Sequence, residues 1–209
     1  MLKSTTRIVC ACILVAITSG CVGTANPEHR IDYYTLEYPP PVMDDLKPLP
    51  YALRIETFTI NPVYDTNRIV FREAAHQREA YVYHRWRAKP AVLAMYYMAR
   101  DMRKSGLFEG VFIRGAGGHA THVVEGTVDE FYEKDSSEGW EAVLEITITL
   151  LVAEEPDVSK RILFQRQFSV SRKCASKTPG AVVEAMSNGM AEISEAIIRE
   201  LHKSLEGTG

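Results

Sequence analysis

The stretch of sequence that decides the fold is Ala142-Val-Leu-Glu-Ile-Thr-Ile-Thr-Leu-Leu-Val152. Its even positions carry alanine, leucine, isoleucine or valine, whereas glutamate and threonine occupy positions 145, 147 and 149. Successive side chains of a β-strand point to opposite faces of a sheet. The stretch therefore predicts a long strand with one buried face and one solvated face, as is typical of an antiparallel sheet with one side in water.

Six further segments carry weaker strand patterns. They span residues 31–38, 51–60, 67–71, 79–83, 124–132 and 162–170. In 51–60 the apolar positions change parity midway, which predicts a bulge, and Arg166 interrupts the apolar face of 162–170. The glycine-rich residues 115–118 lie between two strands, so we expect a flexible hairpin connection there rather than a phosphate-binding loop.

Two longer segments have helical periodicity. The first begins at Pro90 and ends before Gly106, residues that are favoured in the first turn and directly after the last turn of a helix. Its apolar stripe consists of Val92, Met95, Tyr96, Ala99 and Met102. The second runs from Pro179 to about Leu205, with a stripe of Val182, Met186, Met190, Ile193, Ile197 and Leu201. We interpret this methionine-rich stripe as a core face, with a groove for lipid or a partner helix as the alternative.

The predicted fold class is α/β (α+β), a single domain in which a mixed β-sheet packs with two main α-helices. This domain spans residues 31–205. It follows a predicted signal peptide over residues 1–20 and a short polar tether over residues 21–30.

The N-terminal segment has the features of a bacterial lipoprotein signal. Lys3 and Arg7 precede an apolar region, and the run Ile17-Thr-Ser-Gly-Cys21 resembles a lipobox. The apolar region is shorter than the roughly 20 residues that a spanning helix needs. We therefore predict cleavage before Cys21 and lipidation of its thiol, with an ordinary signal peptide cleaved nearby as the alternative. Residue 22 is valine rather than the aspartate that commonly retains lipoproteins at the inner membrane, which predicts the periplasmic face of the outer membrane.

The charge balance and the cysteines exclude some classes of protein. The chain carries 24 basic and 27 acidic residues, for a net charge of −3 at pH 7. Such a chain has no basic excess to attract nucleic acid, so we expect no nucleic-acid partner. After signal removal and lipidation of Cys21, Cys174 would be the remaining thiol, and no internal disulfide is expected.

No motif for catalysis stands out in the sequence. The nucleophile elbow of hydrolases and the P-loop of nucleotide-binding proteins are both missing. His119 and His122 fall on opposite faces of the start of a strand, so we interpret them as surface residues rather than metal ligands. Asp129, Glu130 and Glu133 are expected to form a solvated edge. We therefore predict a protein that is not an enzyme, with no catalytic residues, no cofactor and no metal site.

Five segments occur in a distinctive order. They are Tyr33-Tyr-Thr-Leu36, Tyr64-Asp-Thr-Asn-Arg-Ile-Val-Phe-Arg-Glu73, Tyr81-Val-Tyr-His-Arg-Trp-Arg-Ala-Lys-Pro90, Glu125-Gly-Thr-Val-Asp-Glu-Phe131 and Ala185-Met-Ser187. In this order, behind a lipobox, the chain resembles the ABC-type transport auxiliary lipoproteins, the PqiC-like family, over roughly residues 31–200. The resemblance implies a non-catalytic component of an MCE-type intermembrane lipid transport system that meets a periplasmic MCE-domain protein at the outer membrane. It also implies an α/β domain with a mixed sheet and, because some members form rings, a homo-oligomer.

The second and third of these segments contain the predicted partner interface. Its residues are Tyr64, Arg68, Tyr83, Arg85, Trp86 and Arg87. Tyrosine, tryptophan and arginine are concentrated at the energetic centres of protein interfaces. The alternative is that Tyr81 and Tyr83 pack against the helix that begins at Pro90, with the arginines solvated. The alternative function is a structural or regulatory envelope lipoprotein, such as an activator of a cell-wall synthase, which also needs only an anchor and an interaction face.

Overall fold

One long strand organises the sheet, and the other strands are arranged around it. The computed structural model describes residues 30–207 except for the side chain of Val158, and within this range nine strands form one mixed sheet. The strands are β1 Asp32–Tyr34, β2 Leu49–Ile55, β3 Thr59–Ile60, β4 Arg68–Arg72, β5 Glu79–Trp86, β6 Phe108–Ile113, β7 His122–Ser136, β8 Gly139–Val152 and β9 Ile162–Lys173. The helices are α1 Pro90–Ser105, the short α2 Val158–Arg161 and α3 Pro179–Glu206, with a 3₁₀ turn at Pro62–Tyr64. The predicted fold class is confirmed, whereas the predicted signal peptide and Cys21 lie outside the described residues.

The strand β7 is the centre of this sheet. It pairs antiparallel with β8 over its whole length, and β8 pairs antiparallel with β9. The opposite edge of β7 pairs with three shorter strands in succession, β2, β3 and β4. All three run parallel to β7. Beyond them, β6 lies parallel to β2, β5 antiparallel to β4, and β1 parallel to β5. This order places β1 and β5 together at one end of the sheet.

The helices α1 and α3 cover one face of the sheet, which we call the inner face. The apolar residues of the central stretch are buried on this face, namely Ala142, Leu144, Ile146, Ile148 and Leu150. The predicted stripe of α3 is buried along its length, so its methionines belong to the core rather than to an open groove. Full burial of one leucine or isoleucine contributes about 1.5–3 kcal/mol. Within residues 30–207, no helix combines the length and the apolar character that crossing a membrane requires.

The face that α1 presents to the core differs from the predicted one. Val92 and Tyr96 are 47% and 55% exposed, whereas Ala91, Ala94 and Met98 are buried. Ala99 and Met102 of the predicted stripe are buried, but the small Ala91 and Ala94 face the core in place of Val92 and Tyr96. The buried face is therefore rotated from the predicted one.

Two predicted connections also differ from the structure. Residues 51–60 form the separate strands β2 and β3 rather than one bulged strand. Residues 115–118 do not close a hairpin, because β6 and β7 both run parallel to β2 and flank it.

Arg166, which interrupts the apolar pattern of β9, forms an ion pair with Glu200 of α3. A charge held on the inner side of an edge strand discourages pairing with another chain.

A bulge in β7 decides which acidic side chains are buried. The register of β7 with β8 shifts between Val128 and Glu130, so Asp129 is the extra residue. Its Oδ2 accepts a hydrogen bond from the Thr147 hydroxyl at 2.6 Å. Because one extra residue reverses the alternation of side chains, Val128 and Glu133 are both buried although their positions differ in parity. The prediction of a solvated acidic edge is wrong for Glu133.

Candidate functional site

Two of the six predicted interface residues are buried. Trp86 is 1% exposed and packs edge-on against Phe131, with 5.3 Å between the ring centroids. Tyr64 is 2% exposed and stacks on Tyr132 at 5.7 Å. The expectation that Tyr64 and Trp86 are exposed is therefore wrong, because β5 directs Trp86 into the main core and the 3₁₀ turn lays Tyr64 against the sheet.

Tyr64 belongs to a small cluster that is separate from the main core and also contains Val70 and Tyr132. The guanidinium groups of Arg72 and Arg78 lie 4.9 and 5.0 Å from the centroid of the Tyr132 ring. Arg78 Nε also donates a hydrogen bond to the Tyr64 hydroxyl at 3.3 Å. Each cation–π contact contributes roughly 0.5–1 kcal/mol at a partly exposed site. Tyr64 thus stabilises the sheet from the outer face, the one away from the helices.

The other four predicted residues lie at one corner of the sheet. Arg68 of β4 is the pairing partner of Arg85 of β5, and Tyr33 of β1 lies beside Arg85 on its other side. The Arg87 guanidinium lies 4.9 Å from the centroid of the Tyr33 ring, and Tyr83 is exposed two residues before Arg85. We call Tyr33, Arg68, Tyr83, Arg85 and Arg87 the arginine surface.

Tyr33 is the member of this surface that the sequence-based prediction missed. Its side chain is 47% exposed. Adjacent tyrosines in a strand point to opposite faces, so the pair Tyr33-Tyr34 indicated that one ring would be accessible. The pairing of β1 with β5, which brings that ring to Arg85 and Arg87, could not be derived from local pattern.

The arginine surface concentrates positive charge in a chain whose net charge is −3. Its five members include three arginines and no acidic residue. Arg85 Nε is buried and has no hydrogen-bond partner within residues 30–207, and one terminal nitrogen of Arg85 donates to the Val82 carbonyl at 3.5 Å. A guanidinium carries five N–H donors in a planar arrangement that matches a carboxylate. The surface is therefore suited to a partner that offers carboxylates.

A bulge in β5 carries part of the arginine surface and is anchored by contacts on the inner face of the sheet. The register of β4 with β5 jumps, so residues 81–84 leave the ladder between these two strands. Tyr83 lies in this bulge and Tyr81 begins it. The Tyr81 ring packs against Phe71 at 4.9 Å, and its hydroxyl donates a hydrogen bond to Glu133 Oε1 at 2.9 Å. The buried Glu133 is thus an anchor for the segment that carries part of the arginine surface.

The carboxyl of Glu133 is fully buried, and this burial raises its pKa to about 8. The adjacent Asp135 carboxyl contributes to this increase, whereas the hydrogen bond from Tyr81 opposes it. Burial, followed by the nearby charge of Glu133, also raises the pKa of Tyr81. At pH 7 Glu133 is therefore mostly protonated, which avoids an uncompensated charge in the core.

A polar cleft of about 700 Å³ lies on the outer face. Threonine hydroxyls line it, and Glu56 lies between Arg54 and Arg114, with N–O distances of 3.0 and 3.2 Å. An active site typically combines a cleft with an acid or nucleophile of shifted pKa. Glu133, whose pKa is strongly raised, lies in the core and does not line this cleft.

Burial also shifts the pKa values of two other potentially reactive side chains, His122 and Cys174. His122 is buried, its ring lies 5.1 Å from that of Tyr51, and burial lowers its pKa. The prediction of a surface residue is therefore wrong for His122. Burial raises the pKa of the Cys174 thiol to about 11, which leaves little thiolate at neutral pH. Within residues 30–207, no three histidine, cysteine, aspartate or glutamate side chains are grouped to hold a metal ion.

Comparisons with known proteins were made for both the sequence and the fold. A family model described as ABC-type transport auxiliary lipoprotein component matches residues 34–198. No curated protein matches the sequence. Protein XCC0632 from Xanthomonas campestris, of the DUF330 family, superposes with a TM-score of 0.77 at 15% identity, covering 85% of this chain and 98% of that one. A second crystal structure, of an uncharacterized protein, superposes with a TM-score of 0.63 at 16% identity, covering 82% and 99% of the two chains. At these identities the structural likeness establishes the fold.

Proposed function

This chain belongs to the family of ABC-type transport auxiliary lipoprotein components, and from that premise we propose that it is the lipid-anchored, non-catalytic subunit of an MCE-type intermembrane lipid transport system. Family membership makes it a lipoprotein component of an ABC-type transporter. The proposal adds the partner and the place: the chain binds a periplasmic MCE-domain protein at the periplasmic face of the outer membrane.

The arginine surface is the observation that supports a docking role. Exposed tyrosine and arginine side chains are the residue types that contribute most to binding at protein interfaces, often 2 kcal/mol or more each. Arg68 and Arg87 are exposed, so carboxylates of the partner can reach their guanidinium groups. Opposite charge on the partner would also speed encounter and orient it. We therefore propose Arg68, Tyr83, Arg85 and Arg87, together with Tyr33, as the contact with the MCE-domain protein.

The position of this surface in the chain agrees with a membrane-proximal partner. Tyr33 lies three residues after Arg30, the first described residue. We propose that residues 1–20 are removed, that Cys21 carries the lipid, and that residues 21–30 form the tether of a domain that spans 31–205. An extended chain covers at most about 3.5 Å per residue, so the domain would stand no more than roughly 35 Å from the membrane.

A homo-oligomer is part of this proposal. Several copies around one partner would present several arginine surfaces at once, and such multivalency raises avidity without any new kind of contact. Mass photometry of the purified protein in detergent measures the number of copies directly, and a monomer at micromolar concentration would remove this part of the proposal.

Site-specific photocrosslinking in cells tests the partner and the surface together. A photoreactive amino acid at position 83 should give an adduct with an MCE-domain protein, identified by mass spectrometry. The same amino acid at position 167, an exposed site on β9, is the matched control and should give none. An adduct with a cell-wall synthase instead would favour the alternative function. Equal adducts from both positions would refute the assigned surface.

Removal of two arginine charges provides a second, quantitative test of the proposed surface. The double substitution Arg85→Ala and Arg87→Ala should weaken binding of the purified MCE-domain protein by at least tenfold, as expected for loss of two interface arginines. The matched control replaces two exposed basic residues elsewhere, Lys104→Ala and Arg161→Ala. If both double variants bind equally well, the arginine surface is not the contact.

A further inference from the structure

Two buried carboxylate oxygens in β7 lie without a donor. Glu133 Oε2 and Asp135 Oδ1 are both shielded from solvent, and neither has a hydrogen-bond partner among the described atoms. The two residues are separated by one position on a strand, so their side chains point to the same face. Ionised carboxylates only accept hydrogen bonds. The two groups can therefore satisfy each other only when one of them carries a proton.

Apart from Tyr81 and Asp135, the side chains around Glu133 are largely apolar. Four elements supply them, with Phe71 on β4, Ala142 on β8, Trp86 on β5, and Val182 and Met186 on α3. None of these side chains can neutralise a charge. Burial is accordingly the main cause of the raised pKa of Glu133, which is about 8, and the adjacent Asp135 carboxyl is a second cause.

The titratable groups around the pair are acidic or neutral. They are Tyr81 on β5, which donates to Glu133 Oε1, Cys174 directly after β9, and Glu73 directly after β4, whose charge acts on Tyr81. Lys134 pairs with Glu141, and Lys177, which lines the same groove as Asp135, donates to the Ser136 carbonyl rather than to the buried pair. No basic side chain of residues 30–207 contributes to the shifted pKa of Glu133. A proton is thus the positive charge available to the pair.

We infer that Glu133 and Asp135 share one proton, and that this proton holds the β5 bulge in the conformation that presents the arginine surface. The shared proton is argued from the two unpartnered buried oxygens and their electrostatic surroundings, whereas its consequence for partner binding rests on the proposed docking function. Tyr81 connects the two, because it is bonded to Glu133 and begins the bulge that contains Tyr83.

Loss of the proton places two negative charges side by side in the core. The carboxylates must then separate or admit water, since two neighbouring buried carboxylates cannot both remain ionised without solvation. Asp135 borders an open groove of about 260 Å³ that also touches Glu73, Trp140 and Lys177, so water enters from this side once the carboxylates separate. Movement of Glu133 displaces the Tyr81 hydroxyl and loosens residues 81–84. The arginine surface is therefore ordered below about pH 8 and loosened above it.

Hydrogen exchange on the intact protein without any partner tests the first half of this inference. After correction for intrinsic exchange rates, the protection of amides 81–87 should fall at least tenfold between pH 6.5 and pH 9. Glu133→Gln, whose amide can donate to Asp135 while its carbonyl accepts from Tyr81, should keep that protection at both pH values. Glu138→Gln removes the same charge at an exposed turn and should behave as wild type. Equal loss of protection in Glu133→Gln and wild type would overturn the inference.

A titration of the carboxyl carbons by NMR provides a second, independent measurement. A proton shared by the pair should persist above pH 6.5, and Asp135→Asn, whose amide can donate to an ionised Glu133, should lower the pH at which Glu133 titrates. Ionisation of both wild-type carboxyls below pH 6 would overturn the inference even if a variant failed to fold.

Binding of the purified MCE-domain protein at pH 6.5 and pH 9 separates this inference from the proposed function. Weaker binding at pH 9 in wild type, but not in Glu133→Gln, supports both. Absence of binding at any pH, together with the expected exchange results, refutes the docking partner and leaves the shared proton standing. Unchanged binding across pH in wild type would overturn the link between the proton and the surface.

Discussion

Trp86 provides the sharpest test of which residues of β5 are core and which are surface. The structure buries its indole against Phe131 in the main core, although the neighbouring Arg85 belongs to the arginine surface. A buried tryptophan covers roughly 200 Å². At about 25 cal/mol per Å², Trp86→Ala loses about 5 kcal/mol of transfer free energy, at the upper end of the 3–5 kcal/mol typical of such truncations.

The assay compares the unfolding free energies of two adjacent substitutions. In urea, followed by far-ultraviolet circular dichroism, Trp86→Ala should lower the unfolding free energy by about 3–5 kcal/mol, equivalent to roughly 10–15 °C in Tm for a domain of this size. Arg85→Ala is the matched control and should cost about 1 kcal/mol or less, because its side chain is partly exposed. The assignment is refuted if Trp86→Ala costs less than 1 kcal/mol, or if both substitutions cost the same.

The remaining predictions concern the buried carboxyl and two glycines. Stability should fall as pH rises from about 4.5 to about 8, because folded Glu133 retains a proton that the unfolded chain has released, with a slope of up to about 1.4 kcal/mol per pH unit. Glu133→Gln should remove this contribution in urea unfolding at pH 5, 6.5 and 8, and an unchanged slope would contradict it. Gly106→Ala should cost about 1–2 kcal/mol, since Gly106 ends α1 with a φ of 66° that only glycine adopts easily; an unchanged Tm would count against it. Gly126→Ala should cost about 1–3 kcal/mol, because an added Cβ would lie 2.5 Å from the Phe58 ring, and a variant as stable as wild type would show that the ring moves aside freely.

Local sequence pattern was sufficient for the elements whose burial follows from their own periodicity. The alternation in 142–152 predicted β8 and its buried face, and the stripe from Val182 to Leu201 predicted the inward face of α3. The pair of short strands at 67–71 and 79–83 was also confirmed, as β4 and β5. In these cases each residue's environment is set mainly by its neighbours along the chain.

The same patterns failed where a bulge or a distant strand decides the environment. Asp129 inserts one residue into β7, and the reversed alternation buries Glu133 that was expected in solvent. Trp86 and Tyr64 are of residue types that are common at protein interfaces. In the structure, however, Phe131 of β7 packs against Trp86 and Tyr132 of β7 stacks on Tyr64. Residue type alone does not indicate which of these aromatic rings is buried against another strand and which is exposed.

The sequence by itself determined the mixed sheet with two main helices and, through the order of its motifs, the family. It also indicated the segment 64–87 as the region of the candidate interface. Only the tertiary structure decided which side chains of that segment face solvent and that Tyr33 joins them. The reason is that pairing of β1 with β5, and of β4 with β7, joins residues that are far apart in the chain. Those contacts select the exposed face at Arg85 and place the buried Glu133 against Tyr81 of the same segment.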